Sequence, residues 1–195
     1  TLSGVGIALR ERNPDVKIYL ADPMGSGIYS WYARGEWKPE GNSITEGIGN
    51  NHELGNIVGF APDGQYQVTD EEMLPVLFDL VVEEGLVLGG STGINVCGAI
   101  RLAHELGPGH TIVTILADSG TRYQSKLFNP KFLRSKDLPV PAWLARRSDL
   151  KVPYEKVSLV VGRAATEPLL PEDPQNARNR RLSIVLLRGT GDDNP

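Results

Sequence analysis

The sequence predicts an α/β domain built on a parallel sheet, and three stretches carry that expectation. The first is Ile112 to Ala117, an apolar run interrupted only by Thr114. No polar face alternates through it, so it reads as a strand buried on both sides of a parallel sheet. The second is the order helix, turn, strand, loop between Thr1 and Gly25, which is half of a βαβ unit. The third is Leu86 to Leu106: a short apolar strand, the turn Gly89-Gly90-Ser91-Thr92-Gly93, then a helix from Ile94. A glycine-rich turn between strand and helix can bind anions with backbone N–H groups. It can equally serve only to let the helix pack closely on the strand.

Length and composition narrow the class. The chain has 195 residues, enough for one domain or for one with a small second. A net charge of −4 weighs against a nucleic-acid or anionic-membrane surface. The single cysteine, Cys97, excludes an intrachain disulfide and a cysteine-based metal site. His52, His104 and His110 show no ligand spacing, so no metal is expected. No apolar run reaches membrane-span length, and no signal-peptide pattern opens the chain. The expectation is a soluble cytoplasmic protein with neither nucleic-acid nor membrane partner. The first residue, Thr1, is not Met, which reads as a fragment or a processed product.

In chain order, Thr1 to Asn13 reads as a helix. Leu2, Val5 and Leu9 recur at helical spacing, Thr1 or Ser3 caps the start, and Asn13-Pro14 ends it. Val16 to Ala21 is a strand with the loop Asp22-Pro23-Met24-Gly25 at its carboxyl end. Ile28 to Trp37 reads as a short helix with a mobile flank. Gly41 to Gly64 has little periodicity, and a loop that long inside a compact domain is usually functional or disordered. Within it, Thr45-Glu46-Gly47-Ile48-Gly49 carries two glycines that either bring backbone close to a ligand or make an ordinary turn.

Tyr66 to Thr69 is a short strand. Thr69 then caps a helix, with Glu72 completing a capping box and Gly85 closing it. Pro75 lies past the first turn, where proline costs about 3 kcal/mol or kinks the helix. Leu86 to Leu88 reads as a buried strand. Cys97 fits the buried face of the helix that follows, as a small core residue, and His104 its solvent face. Asp118-Ser119-Gly120, at the carboxyl end of the Ile112 strand, is either a turn or a place where a hydroxyl meets a flat ligand. Leu127 to Leu133 breaks into short helical pieces, and Leu138 to Trp143 is a proline-rich segment that can lie along a surface. Composition shifts at Ala145 to Asp149. Two strand-like runs follow, Lys156 to Val161 and Leu182 to Leu187, separated by a Pro/Asp/Asn-rich connection.

Three motifs taken together resemble the cysteine synthases, pyridoxal-phosphate enzymes of the tryptophan-synthase-β fold type. They are TEGIG at 45–49, GGSTGINV at 89–96 and DSGTRYQSKLFNP at 118–130, and the resemblance covers residues 1–144. It implies a parallel-sheet, three-layer portion of a fold-type-II enzyme, with pyridoxal 5'-phosphate as cofactor and a small amino-acid substrate. A homodimer is among the assemblies it implies. The family's reaction is β-replacement on an activated serine such as O-acetylserine, with sulfide as the incoming group. Thr1 falls on the last residue of the family's phosphate loop. Ser119 falls on the serine that meets the pyridine nitrogen, and Gly47, Ile48 and Gly49 on the turn beside cofactor and substrate. No catalytic residue carries over. The family's Schiff-base lysine belongs to an N-terminal half that this chain lacks, and Lys126 and Lys136 lie on the wrong side of the motif order. The chain is therefore expected to be inactive alone.

The tail resembles something else. Val160 to Leu169 and Asn179 to Ile184 are similar to the end of an OmpA-like domain of MotB-type flagellar stator proteins. The implied division is an enzyme portion at 1–144, a junction at 145–150 and a partial, β-rich OmpA-like tail at 151–195. The alternative function is a non-catalytic cell-wall-binding remnant or an inert chimeric fragment.

Overall fold

The computed structural model describes residues 1–145 and the backbone of residues 183–188. The tail's predicted strand at Lys156 to Val161 and the connection after it lie outside the described residues.

The element order matches the α/β expectation: α1 (Leu2–Arg12), β1 (Tyr19–Pro23), α2 (Ile28–Arg34), β2 (Gly64–Val68), α3 (Asp70–Glu83), α4 (Gly90–Leu106) and β3 (Thr111–Leu116). The short helices α5 (Pro130–Arg134) and α6 (Ala142–Ala145) follow, and β4 is Ser183–Arg188. Single 3-10 turns lie at Gly55–Ile57 and Gly120–Tyr123. β1 and β2 pair in parallel, from Tyr19 opposite Gly64 to Pro23 opposite Val68. β1 thus begins three residues later than the apolar run from Val16, and it carries Asp22 and Pro23 into the sheet.

The expected burial of the Ile112 run on both faces is not what forms. β3 pairs antiparallel with β4, Thr111 opposite Arg188 through Leu116 opposite Ser183. α4 packs against β3, yet Val113 remains 53% exposed. The run lacks polar alternation because its threonines and aliphatics suit a strand generally. Periodicity alone does not say how many faces are covered. Leu86–Leu88 likewise forms no strand, only a single bridge between Leu88 and Ser119.

α1 also packs differently from its pattern. Its buried residues are Ser3 and Gly6, while Val5 and Leu9 are 43% and 41% exposed. Gly6 lies directly under the Phe60 ring, where no side chain could fit. Close approach through small residues has replaced the aliphatic stripe as the contact. Thr1 is the N-cap, but its side chain makes no capping bond, and Ser3 is inside the helix.

α3 follows its signals closely. The Thr69 hydroxyl accepts from the Glu72 amide at 3.3 Å and the Glu72 carboxylate from the Thr69 amide at 3.0 Å. Gly85, at φ 69°, takes the left-handed conformation just past the helix end. Pro75 is tolerated because it lies on the exposed face. The carbonyl that loses its bond belongs to Glu71, which is also exposed.

Leu74, Leu77 and Phe78 of α3, Ile94 of α4 and Phe128, Leu133 and Leu144 beyond β3 form one buried cluster. The proline-rich stretch expected on a surface contributes to it. Leu138 is buried, and the Trp143 ring stands edge-on to Phe78 at 5.9 Å.

Candidate functional site

β1 and β2 end on the same side of their pair, where the Met24 amide donates to the Val68 carbonyl at 3.2 Å. Residues 41–51 cross in front of these ends. A cleft of about 520 Å³ opens there, lined by Pro23, Ser26, Ser43, Thr45, Ile48 and Asn50 among others. Ligands of open α/β sheets sit at this end of the strands.

The loop is anchored at both ends. Asp70, the first residue of α3, accepts from the Ser43 hydroxyl at 2.5 Å and the Ile44 amide at 2.8 Å. Burial raises the Asp70 carboxyl above its ordinary value, against the lowering effect of those two bonds. At the far end, the Ser26 hydroxyl donates to the Asn50 carbonyl at 3.2 Å and accepts from its amide at 3.0 Å. Gly47 and Gly49 both have left-handed φ, 78° and 76°. A side chain on Gly49 would lie 2.9 Å from Pro23 and Ser26. The glycines at these two positions are therefore required by the backbone.

The Asp118-Ser119-Gly120 turn meets this loop. A Cβ on Gly47 would sit 3.9 Å from an Asp118 carboxylate oxygen, and Thr45 packs against Gly90 at the start of α4. Lys126 is ion-paired with Glu46 across the two segments. The turn is fastened to the head of α4: the Gly89 amide donates to the Asp118 carbonyl at 2.8 Å, and the Gly120 amide to the Val87 carbonyl at 2.9 Å. Tyr123 donates its hydroxyl to Asp118. That bond to a carboxylate, with burial, raises the phenol above its ordinary value.

The predicted residues divide. Gly47, Ile48 and Gly49 come together with the Ser119 turn. The Ser119 hydroxyl has a local partner, lying 2.9 Å from the Thr121 hydroxyl and accepting from the Thr121 amide at 3.4 Å. It caps the 3-10 turn at 120–123. Thr1 is exposed at the head of α1, where its carbonyl accepts from Val5. Among the described residues no hydrogen bond joins it to the Ser119 turn or to the loop.

The GGSTG stretch is the first turn of α4 rather than a loop before it, with Gly89 as N-cap. Sequence reasoning weighed only its backbone. The structure buries its two hydroxyl residues, Ser91 and Thr92, and leaves the Thr92 hydroxyl without a partner. Small residues at the head of a buried helix were the available signal. In the sequence Asp70 is hidden by its place beside the capping box, and Lys126 by a partner, Glu46, that lies 80 residues away. Cys97 is buried, and burial first of all pushes its thiol up to about 11, away from the reactive thiolate form. The described residues contain no cluster of three metal-ligating side chains. No helix among them is long and apolar enough to cross a membrane.

Fold and motifs define a class of cofactor-dependent enzyme, and comparison with known proteins agrees. The family model of pyridoxal-phosphate dependent enzymes matches residues 1–118. The chain belongs to that family. Its curated relatives include cysteine synthase 2 of Schizosaccharomyces pombe, 39% identical over 151 residues, which are 71% of this chain and 38% of that protein. The cysteine synthase of Dictyostelium discoideum is 37% identical over 150 residues, 72% of this chain and 40% of that one. Among solved structures, the O-acetylserine dependent cystathionine beta-synthase from Helicobacter pylori matches with TM-score 0.57 and 28% identity, over 65% of this chain and 39% of that one. The chain thus spans about two fifths of the length of these relatives. These findings give the OmpA-like reading of the tail no support.

The cleft offers pyridoxal phosphate hydroxyl and amide side chains, among them Ser43, Thr45 and Asn50. The buried, unpartnered Thr92 hydroxyl is not among the residues that line it. No lysine lines the 520 Å³ cleft. Lys126 is engaged by Glu46. Lys136 borders a neighbouring cleft of about 300 Å³ beside Asp70 and Glu71. Covalent attachment of the cofactor therefore has no provision among the residues that line the cleft.

Proposed function

We propose that this chain is the cofactor-facing portion of a cysteine synthase that joins O-acetylserine and sulfide by β-replacement, and that it is inactive alone. The observation that carries the reading is the meeting of the TEGIG turn with the Asp118–Ser119 turn beyond the strand ends. Two motifs far apart in the sequence come together there: a Cβ on Gly47 would sit 3.9 Å from an Asp118 carboxylate oxygen, and Thr45, Ile48 and Gly49 of the first motif line the cleft. In this reading Gly47–Gly49 forms a wall beside the substrate. Ser119 turns its hydroxyl from Thr121 to the ring nitrogen when the cofactor is present, and Thr1 closes the phosphate site. A small amino-acid substrate, a cytoplasmic location and a homodimer belong to the same proposal. So does the division at 144 and 151. For residues 151–190 we propose no binding role.

Borohydride trapping tests the reading. The purified chain is mixed with pyridoxal phosphate, reduced and mapped by mass spectrometry. Only scattered, substoichiometric labelling of surface lysines is expected. One stoichiometric phosphopyridoxyl-lysine would show that the chain carries its own attachment site.

A further inference from the structure

We propose that Lys126 and Glu46 form a latch that holds the Gly47–Gly49 turn over the Asp118–Ser119 turn, which makes Lys126 a positioning residue of the cleft. The inference deepens the cofactor-cleft reading and rests on it for its functional meaning. The geometry of the latch stands by itself.

The loop from Ser43 to Asn50 is fixed at its ends by buried or half-buried groups, Asp70 at one and Ser26 at the other. Between these anchors the tip is flanked by two glycines in the left-handed region, a place where the backbone turns with little steric resistance. The side-chain bond joining the tip to the opposite wall is the Lys126–Glu46 ion pair, whose side chains are 43% and 50% exposed. Charge placement gives this pair more weight than its exposure alone. Glu46 and Asp118 are both carboxylates, and both act on Tyr123, raising its phenol together with burial while Arg122 opposes them. Removing Lys126 leaves two like charges on either side of Gly47, and like charges drive the segments apart. Ile48, packed at the edge of the core, is the side chain that moves out when the tip lifts.

The test places a thiol at the tip. Ile48→Cys is introduced in the full chain, and its reaction with a neutral maleimide is timed at low salt. Cys97 supplies a slow background, measured in the parent and subtracted. Lys126→Met should speed labelling at position 48 roughly two- to five-fold, the range an exposed ion pair supports. Lys126→Arg should leave it near the Ile48→Cys rate, and Glu46→Lys combined with Lys126→Glu should return it there. About 0.5 M sodium chloride should speed labelling less than Lys126→Met does, because it screens the Glu46–Asp118 repulsion as well as the pair. The melting transition should fall by no more than about 4 °C in any of these variants, the shift that a roughly five-fold change, about 1 kcal/mol, gives a chain of this size, which separates a latch from a general support of the fold. An unchanged rate in Lys126→Met, or a charge swap that stays as open as the single change, overturns the proposal. No cofactor enters the measurement, so a failed latch and a failed cofactor reading give separate results.

Discussion

Gly120 shows how little room the central turn leaves. A methyl group there would stand 2.6 Å from the Leu88 carbonyl oxygen, 2.9 Å from its amide nitrogen and 2.9 Å from the Phe128 ring. Two of those neighbours are backbone, and moving them breaks the bonds that fasten the turn to α4. Gly120→Ala should therefore destabilise the chain by about 2–3 kcal/mol, the upper part of the range for overpacking. Urea unfolding measures it, and a loss under about 0.5 kcal/mol would mean the turn shifts freely. Ser119, next door, was legible from sequence as a hydroxyl at a strand end. Its partner was not, because a Ser-x-Thr cap competes for the same oxygen and only geometry shows which wins. With the remainder of a cysteine synthase supplied by fusion, Ser119→Ala should weaken cofactor binding by about 0.5–1.5 kcal/mol if the hydroxyl reaches the ring. Ser119→Asp should also alter the cofactor's absorption, because a carboxylate favours a protonated ring nitrogen. Identical affinities and spectra would leave Ser119 as the cap it is seen to be.

At the scale of elements, the signals of α3 and of the two-glycine turn, which rest on local chemistry, held, while the Thr1 cap and two packing patterns did not. The α3 cap, its C-terminal glycine and the two-glycine turn depend on a few neighbouring residues, and each formed as read. The α1 stripe and the doubly buried Ile112 strand depend on what lies opposite, which a pattern of apolar residues does not specify. The link between β1 and α2 illustrates a contact that no pattern announces. Asp22, 1% exposed at the end of β1, accepts from the Tyr29 amide in the first turn of α2 at 2.8 Å. Burial raises its carboxyl above the ordinary 3.8, against the hydrogen bonds that lower it. A raised folded pKa means the folded state holds this proton more tightly than the unfolded chain does. The resulting stabilisation is full below the unfolded value and is lost as pH rises through the folded one. Glu72 acts with the opposite sign. Burial raises it, but the Thr69 amide and Arg101 outweigh that and leave it lowered. Its contribution is present above its unfolded value and is lost as pH falls through the folded one. Asp22→Asn removes only the first of these effects. Compared with the parent, the variant should gain stability steadily as pH is raised from about 4, a trend read from chemical denaturation at several pH values. A constant difference between the two proteins would place Asp22 in a solvated site.

For the whole molecule, the question is what β4 does for the fold. Among the described side chains, the buried cluster runs from Val68 to Leu144. The backbone of β4 adds a six-residue antiparallel ladder along β3, from Thr111 to Leu116. α4 also packs against β3. A chain ending at Ala145 should therefore keep the α3–α4 core and unfold cooperatively, since the residues that drive collapse remain. It should also bare the edge of β3 with Val113 already half exposed, and an uncovered apolar edge pairs readily with another copy. The expected result is a near-parent melting transition at low concentration, together with concentration-dependent association in size-exclusion chromatography. A charge on that strand should separate the two effects. Val113→Lys in the shortened chain should suppress association without lowering the melting temperature, because the side chain it replaces is 53% exposed. If the shortened chain has no cooperative transition even when dilute, the β3–β4 ladder is part of the folding unit and the tail cannot be treated as an addition to the enzyme portion.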